Sequence, residues 1–469
     1  MTLIDMIWRR TFIYCFVIFG GFLSFSQEIL SLESYNHGEG IRFSEGDDYN
    51  FRIRGWFQPF FQSIEYLGEN EIKYLNRYRI RRARINFEGN PGNQRFYYRL
   101  QFDLTGTGPE RYGATKKYLL DAFVRYNLSN QIRVTFGQRM PKTDNREVWM
   151  RSNSLQFVER SMLTSDFSSL REFGILIRGN FRTYRGGYLR SYFSFSNGDG
   201  ENFFSPSRGG NKIGGRVDFL PFGTFSNFGQ WRQVDMVREL IPKLVFGAHY
   251  SIFDGITSRR GRSESYSRQF IYINDLNENG IYDKGEERLP EYKKYGLDFL
   301  FKYKGFSALG EFVKSKVKVP NDITHRNDAY DNMPIDQHEY INRFRQRISP
   351  TSSEFSDVSI EEYVRSQMIL GEALNLQMGY LFVNGLSIDA RYTHIIADEF
   401  SYLNSAVYNN RPNMYTLGIS KYLSKNYGAK IQASFSWTDG SLGISDYRGS
   451  QFPISGDEII TRLMVTFSF

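Results

Sequence analysis

The sharpest chemical pattern in the chain runs from Asp275 to Glu286 (DLNENGIYDKGE). Asp275, Asn277, Asn279, Ile281, Asp283 and Glu286 fall where a calcium loop places its oxygen donors. The spacing has a mechanism. Side-chain oxygens of Asp275, Asn277 and Asn279 and the Ile281 carbonyl surround a hard cation, Asp283 acts directly or through water, and Glu286 closes the shell with both oxygens. Gly280 permits the sharp turn. The flanks, Gln269 to Ile273 and Tyr292 to Leu297, read as strand, so the expectation is a free-standing Ca2+ loop rather than a helical EF-hand pair. An acidic Asx-rich turn is the plainer alternative.

A second constellation is basic. Arg82 and Arg84 alternate with Ala83, Ile85 and Phe87, and the same every-other-residue count puts Arg99, Arg125, Arg133 and Arg139 on the polar faces of their segments. Lys142 follows in a connection, Met140 to Arg171, that also holds Arg146, Arg151, Arg160 and Arg171 among Asp144, Glu147, Glu159 and Asp166. Guanidinium forks bind oxyanions through two parallel hydrogen bonds, and rings of one charge sign bias a pore. The competing reading is structural: Glu88, Asp103, Asp121, Glu172, Asp218, Asp298 and Glu311 could neutralise the same arginines.

Period two positions all of these residues. In the last segment Leu463, Val465, Phe467 and Phe469 share one parity while Arg462, Met464, Thr466 and Ser468 share the other. The pattern recurs at Ala429 to Trp437, Tyr295 to Tyr303 and Phe96 to Thr105. It yields about sixteen strands, near 51–63, 77–88, 95–105, 119–128, 131–139, 172–181, 188–197, 212–220, 243–252, 294–303, 306–316, 368–382, 386–395, 413–422, 428–438 and 458–469. Their connections mostly alternate short and long. That is the signature of an all-β transmembrane antiparallel barrel with long outer loops and both termini on the periplasmic side. One connection departs from it: Pro221 to Pro242 is long where a short turn belongs, with a short helix expected through Val234 to Leu240.

Composition narrows the field. The 469 residues carry 59 Lys+Arg against 51 Asp+Glu, 17% aromatics and a mean hydropathy of -0.47, too polar for a polytopic helical membrane protein and too apolar for disorder. Met1 to Ser26 reads as a secretory signal peptide, with Arg9-Arg10 before the apolar stretch Phe12 to Leu23 and small residues at its end. The expected organisation is signal peptide 1–26, a periplasmic segment 27–48 and an outer-membrane barrel 49–469. The only cysteine, Cys15, falls in the signal segment. The basic excess is spread through alternating strands rather than gathered in a patch, so no nucleic acid is expected.

The run Tyr78-Arg79-Ile80-Arg81-Arg82-Ala83-Arg84-Ile85-Asn86-Phe87-Glu88-Gly89 resembles the Arg-rich strand of the phosphate-selective porins of the O/P type. Leu120 to Val124, Phe136 to Pro141, Phe157 to Ser161 and Arg171 to Ile175 follow in that family's order, from about residue 50 to 220. The resemblance implies a sixteen-stranded outer-membrane channel, commonly trimeric, that passes small anions. It further implies selectivity set by a lumenal ladder of lysines and arginines with an inward-folded third outer loop, here Met140 to Arg171. The lysines of that ladder are not visible in the alternating rows. Phe469 resembles the terminal signal read by barrel-assembly machinery, and the lipid bilayer is the implied partner of the aromatic exterior. Enzymatic motifs are absent: His37, His249, His325, His338 and His394 are scattered, with no Walker loop, GxGxxG fingerprint or GxSxG elbow. The leading expectation is a porin for passive diffusion of small, anion-preferred solutes, with phosphate or polyphosphate as the candidate substrate. Alternatives are a barrel acting as an adhesion or interaction scaffold, and a barrel hydrolase resembling outer-membrane phospholipases.

Overall fold

Alternating residues close into a wall. The computed structural model describes residues 31–45, 49–70, 73–92, 94–107, 117–169, 171–198, 200, 210–254, 271–275, 277, 283–327, 332–335, 359–404, 411–424, 426–440, 443–447, 450–454 and 456–469. The expected signal peptide lies outside them. Sixteen strands form the barrel: β1 (Tyr49–Tyr66), β2 (Tyr74–Asn90), β3 (Phe96–Thr107), β4 (Lys117–Asn127), β5 (Arg133–Arg139), β6 (Glu172–Arg178), β7 (Tyr188–Ser196), β8 (Lys212–Leu220), β9 (Lys243–Asp254), β10 (Glu291–Tyr303), β11 (Phe306–Lys318), β12 (Gly371–Leu381), β13 (Leu386–Ala397), β14 (Asn413–Tyr422), β15 (Ala429–Thr438) and β16 (Glu458–Ser468). Each matches an expected segment to within a few residues. All pair antiparallel, and β16 returns to β1 from Glu458↔Tyr66 to Ser468↔Trp56, which removes the open edge. Phe469 completes this seam: its N–H donates to the Gly55 carbonyl (2.9 Å) and its carbonyl accepts from the Gly55 N–H (3.0 Å). A hairpin of Ser31–Asn36 and Gly40–Glu45 extends the wall below by pairing with the first residues of β1.

The exterior is apolar by parity. Leu297, Leu417 and Phe136 are more than half exposed, at 61%, 65% and 56%. Such a surface is a liability in water and matches the hydrocarbon band of a membrane. Tyr392, Tyr415 and Trp437 stack across neighbouring strands with ring centroids 4.9 and 5.4 Å apart, one arc of an aromatic girdle.

The bore is filled, and strand length is the cause. β5 and β6 have seven residues each, against 11 to 13 in β9 to β13, so the connection between them starts within the barrel and folds inward. It carries 3-10 turns at Glu147–Trp149 and Ser152–Ser154 and a helix at Met162–Phe167, whose N-cap Ser161 hydroxyl accepts the Thr164 N–H at 3.2 Å. Val148, Leu155 and Leu163 are wholly buried, so this loop is no solvated outer excursion. Space for it comes from inward-facing glycines. A Cβ on Gly379 would collide with the Asp389 carboxylate and the Gln156 amide, and one on Gly247 with Arg216 and Asp298.

Charge fastens the loop. Arg146, fully buried, donates from Nε to Asp298 (2.7 Å) and from Nη2 to Asp218 (2.8 Å), and Arg216 bridges the same two carboxylates from the wall. The Lys294 ammonium joins Asp144 (2.7 Å) and the Phe167 carbonyl (2.8 Å). On the far side Lys430 donates to the Leu155 carbonyl (2.8 Å), and Gln432 to the Gln156 carbonyl (2.8 Å). The wall thereby supplies the donors that a buried loop backbone requires.

Segment Pro221 to Pro242 also enters the barrel, from the short-turn end. Its helical stretch is Ser226–Trp231 and not the expected Val234 to Leu240. There the Asp235 carboxylate accepts the N–H groups of Glu239 (3.1 Å) and Gly305 (2.8 Å), and Arg238 adopts a φ of 52°, an arrangement that competes with a helix and ends it. Outside the opposite end, Phe253, Tyr272, Tyr292, Ile335, Tyr363 and Met368 form a small hydrophobic core. It joins a three-stranded sheet (Ile271–Ile273, His325–Asn327, Asn332–Pro334) to the helix Ile360–Ser366.

Replacing Arg146 by Ala strands two buried carboxylates on one remaining partner. A loss on the order of 3–5 kcal/mol is expected. Urea titration of the folded barrel on unheated gels, together with new trypsin cleavage inside 140–171, measures it.

Candidate functional site: an arginine-lined bore

Strict alternation allows only two of the arginines in Arg79 to Arg84 to face inward. The barrel turns four inward. Pairing with β1 steps from Gln58↔Arg82 to Pro59↔Ile80, so Arg81 is the extra residue of a β-bulge. Pro59 lacks the N–H that a regular ladder would use at that step. Beyond the bulge the parity is reversed: Tyr78 and Ile80 are exposed at 78% and 48% on the outer face, and Arg79 and Arg81 join Arg82 and Arg84 in the bore.

Between the loop segment 157–166 and the wall lies a cavity of ≈ 300 Å³. Six guanidinium groups line it, those of Arg79, Arg81, Arg160, Arg391, Arg411 and Arg462, against the carboxylates of Glu159 and Asp166. Each has a tether. Arg391 reaches Glu147 (3.1 Å), Arg411 reaches Glu458 (2.7 Å), Arg462 donates to Gln62 (3.0 Å), and Arg160 donates to the Met150 carbonyl (2.7 Å). These tethers fix the forks in place while using part of their N–H donors. Burial opposes ionisation of Glu159, and the Arg82 (2.8 Å) and Arg81 guanidinium groups overcome it, holding its carboxyl well below the usual carboxylate range.

The arginines and lysine singled out from sequence separate into two groups. Arg82, Arg84 and Arg99 are neutralised: Arg82 by Glu159 and Gln58, Arg84 by Asp103 (2.8 Å), and Arg99 by Glu88 (2.5 Å), which Arg54 shares (2.9 Å). The structural reading of lumenal charge applies to them. Asp121 and Glu172 are likewise taken, by Arg171 (2.7 Å) and Lys212 (2.7 Å), and Glu311 accepts the Glu147 N–H (2.7 Å). The second group is held by rings. Arg125 lies 4.1 Å over Tyr97, Arg139 lies 4.6 Å over Phe123, and Lys142 stands 5.0 and 3.7 Å from the Trp149 and Trp231 rings. Arg133 faces Arg178 directly across β5 and β6. Burial lowers the Lys142 ammonium well below its ordinary value, reinforced by Arg139, Arg178 and Arg125.

Sequence reasoning placed Arg160 in the third outer connection but missed Arg79, Arg81, Arg391, Arg411 and Arg462 as site residues. For Arg462 the signal was present, because it shares the polar parity of the last strand. Arg391 likewise alternates with Ala390 and Tyr392. The bulge at Arg81 left no such trace. Lumenal lysines do exist, at Lys212, Lys294, Lys302 and Lys430, but all four are buried and serve as loop and strand anchors.

Part of the Asp275–Glu286 loop is described; Asn279 and Ile281 lie outside the described residues. Its two ends are joined by the Asn274 N–H to the Glu286 carbonyl (2.8 Å), after the strand Ile271–Ile273, as the strand-flanked reading requires. Asp275 and Glu286 are buried, Asn277 donates to Asp283 (2.9 Å), and Glu286 accepts the Asp283 N–H (2.9 Å). This oxygen-rich donor set fits a hard cation. Among the described residues no group of three or more His, Cys, Asp or Glu is gathered at metal-binding geometry.

A closed sixteen-stranded barrel with an apolar exterior, and a charged bore narrowed by its third outer loop, gives the chain the fold of an outer-membrane porin. Channels rather than enzymes share this fold. Residues 51–215, from β1 into β8, match the family described as phosphate-selective porin O and P, in agreement with the resemblance carried by the Arg-rich strand. Among solved structures, the anion-selective porin of Comamonas acidovorans is 9% identical over 90% of this chain and 100% of its own, with a TM-score of 0.50. OmpT of Vibrio cholerae, in a trimer form, is 9% identical over 90% and 100% at a TM-score of 0.47. The outer membrane channel DcaP of Acinetobacter baumannii is 10% identical over 91% and 99% at 0.45. At such identities the likeness is one of fold. No curated protein matches the sequence.

Because the Glu159 value is depressed on folding, the Arg81–Glu159–Arg82 clamp is fully formed above about pH 4.3 and is lost only as pH falls through the lower folded value. Bilayer recordings are therefore expected to show no Glu159-linked change from about pH 8 to about pH 5. Glu159→Gln removes a lining carboxylate and is expected to raise the anion-to-cation permeability ratio at neutral pH; an unchanged reversal potential would contradict this account.

Proposed function

We propose that this porin is an anion-preferring diffusion channel in which the Arg79–Arg81–Arg160–Arg391–Arg411–Arg462 cavity is the selectivity region. One observation carries the reading: six fixed guanidinium groups against two carboxylates in the space between the inward loop and the wall. A passing anion replaces water with N–H donors that tethers already hold in position, while a cation meets unfavourable potential. Fork geometry favours oxyanions with two or more accessible oxygens, so phosphate and carboxylates are the preferred class over chloride. Phosphate preference itself is supported only by the family description. Arg133 opposite Arg178 continues the cationic lining, since like charges placed across a ladder are unfavourable unless screened.

Planar-bilayer recording in a potassium chloride gradient tests this. The parent is expected to give stable ohmic steps with a reversal potential on the anion side, and Arg81→Ala or Arg462→Ala to move it toward zero. Each removed charge changes the local potential by an amount on the order of 1 kcal/mol in a water-filled bore, a severalfold change in the permeability ratio. Cation preference in the parent would exclude the reading. Exchange of chloride for phosphate then separates general anion passage from phosphate preference.

Four further assignments belong with the channel. Residues 1–26 are the export signal, and Phe469 presents the terminus to the assembly machinery. Homotrimeric association follows from the family resemblance. Asp275 to Glu286 binds Ca2+ and stiffens the outer subdomain built around Tyr272 and Tyr292. Calcium is expected to slow proteolysis of that subdomain in the parent and to have no effect in Asp275→Ala; a parent indifferent to calcium would remove the metal from the account. The scaffold alternative draws on that same ordered outer subdomain, and a barrel silent in the bilayer would favour it.

A further inference from the structure

Short connections of two to nine residues join the strands at the periplasmic end, with one exception, Pro221 to Pro242 between β8 and β9. A connection between adjacent antiparallel strands needs no such length. This segment is also not spread over the surface. Gln233 and Asp235 have no exposed area, and Val234 and Phe225 are nearly as enclosed.

Its anchors lie on both sides of the bore. Phe225 packs with Met150, Leu155, Leu220 and Val245, on the β8–β9 side. Val234 packs with Leu381, Tyr422 and Tyr427, which belong to β12, β14 and the turn before β15. Between those contacts the backbone is held by the wall: the Lys302 ammonium donates to the Gly229 (2.9 Å) and Val234 (2.8 Å) carbonyls, and the Tyr427 hydroxyl donates to Val234 as well (3.0 Å). From above it meets the third outer loop. Gln233 donates to the Glu147 carboxylate (2.8 Å) and accepts the Gln156 N–H (2.6 Å), while the Trp231 and Trp149 rings lie 4.3 Å apart.

Its backbone is strained. Asn227, Phe228 and Arg238 have φ of 46°, 57° and 52°, a region that a bulky residue such as Phe enters only when its surroundings force it. A plain connector would carry glycine there.

We propose that Pro221–Pro242 is a second constriction element, entering from the periplasmic end, and that Trp231 and Arg232 form the inner mouth of the conduction path. The inference rests on the channel reading and adds to it. Loop and strap meet across the bore, from the β8–β9 side to β12, β14 and the turn before β15, and narrow it toward its inner end. There Trp231 abuts Lys142 (3.7 Å), and Arg232 rests 5.0 Å over the Tyr427 ring. An anion leaving the outer cavity therefore passes a second, cationic and aromatic, narrowing before it reaches the periplasm.

Two variants test it in the full-length barrel. Replacement of Ser226–Arg238 by a short Gly-Ser turn is expected to raise single-channel conductance by about twofold or more and to weaken anion preference. Arg232→Cys places a thiol at the mouth in a chain whose natural cysteine, Cys15, precedes the barrel. An anionic methanethiosulfonate added from the periplasmic side is expected to lower its current and anion preference and to leave the parent untouched. If the parent conducts, a correctly folded shortened barrel with parental conductance and selectivity overturns the inference while sparing the channel reading. If the shortened barrel does not fold, the cysteine variant decides: full labelling without any change in current overturns the inference. A silent parent overturns the channel reading and the inference together.

Discussion

Everything inside the barrel depends on how a loop can be buried. A backbone removed from water must find a partner for each N–H and C=O, and an unpaired group costs on the order of 1–3 kcal/mol. The third outer loop meets this demand with charge. Arg146 and Arg216 share Asp218 and Asp298, Lys294 and Lys430 hold carbonyls and a carboxylate, and Glu147 collects Ser161, Thr164, Gln233 and Arg391. Removing one member leaves the others buried and uncompensated, which makes the network cooperative.

This constraint also divides labour among the cations. A guanidinium whose whole surroundings are a buried carboxylate network is spent on architecture; one that lines the cavity keeps donors beyond its tether for a solute. Arg84 and Arg99 are of the first kind, and Arg160 and Arg462 of the second. The lysines fall almost wholly on the architectural side. Lys302, for example, is used entirely in holding the strap.

The barrel was readable because its outer and inner faces contact different solvents, so that side-chain polarity records orientation at every second residue. Sixteen segments and their order could be reached that way, while the inward direction of the third loop came from the family resemblance. What remained hidden falls into two physical classes. Glycines such as Gly247 and Gly379 carry no polarity, so the room they leave for the loop has no signature in an alternating row. The partner of each charge depends on contacts across the bore, such as Asn145 with Glu311 or Gln156 with Asp389, that join residues far apart in sequence. Local pattern therefore located the arginines of the wall but not which of them are free to meet a solute. The strap at Pro221 to Pro242 announced itself only as an excess of length.

The bulge at Arg81 makes β2 tolerant of one kind of genetic change and intolerant of another. Swapping a side chain there alters one charge. Losing the Arg81 codon would only heal the bulge and leave Ile80 outward, but losing one from the regular ladder beside it, such as Ala83, turns the whole outward half of the strand, Tyr74 to Arg82, by half a turn. Tyr78 and Ile80 would enter the water and Arg79 would be driven into hydrocarbon. In this strand the reading frame of the pleat, more than the identity of any residue, separates a working wall from one the membrane rejects.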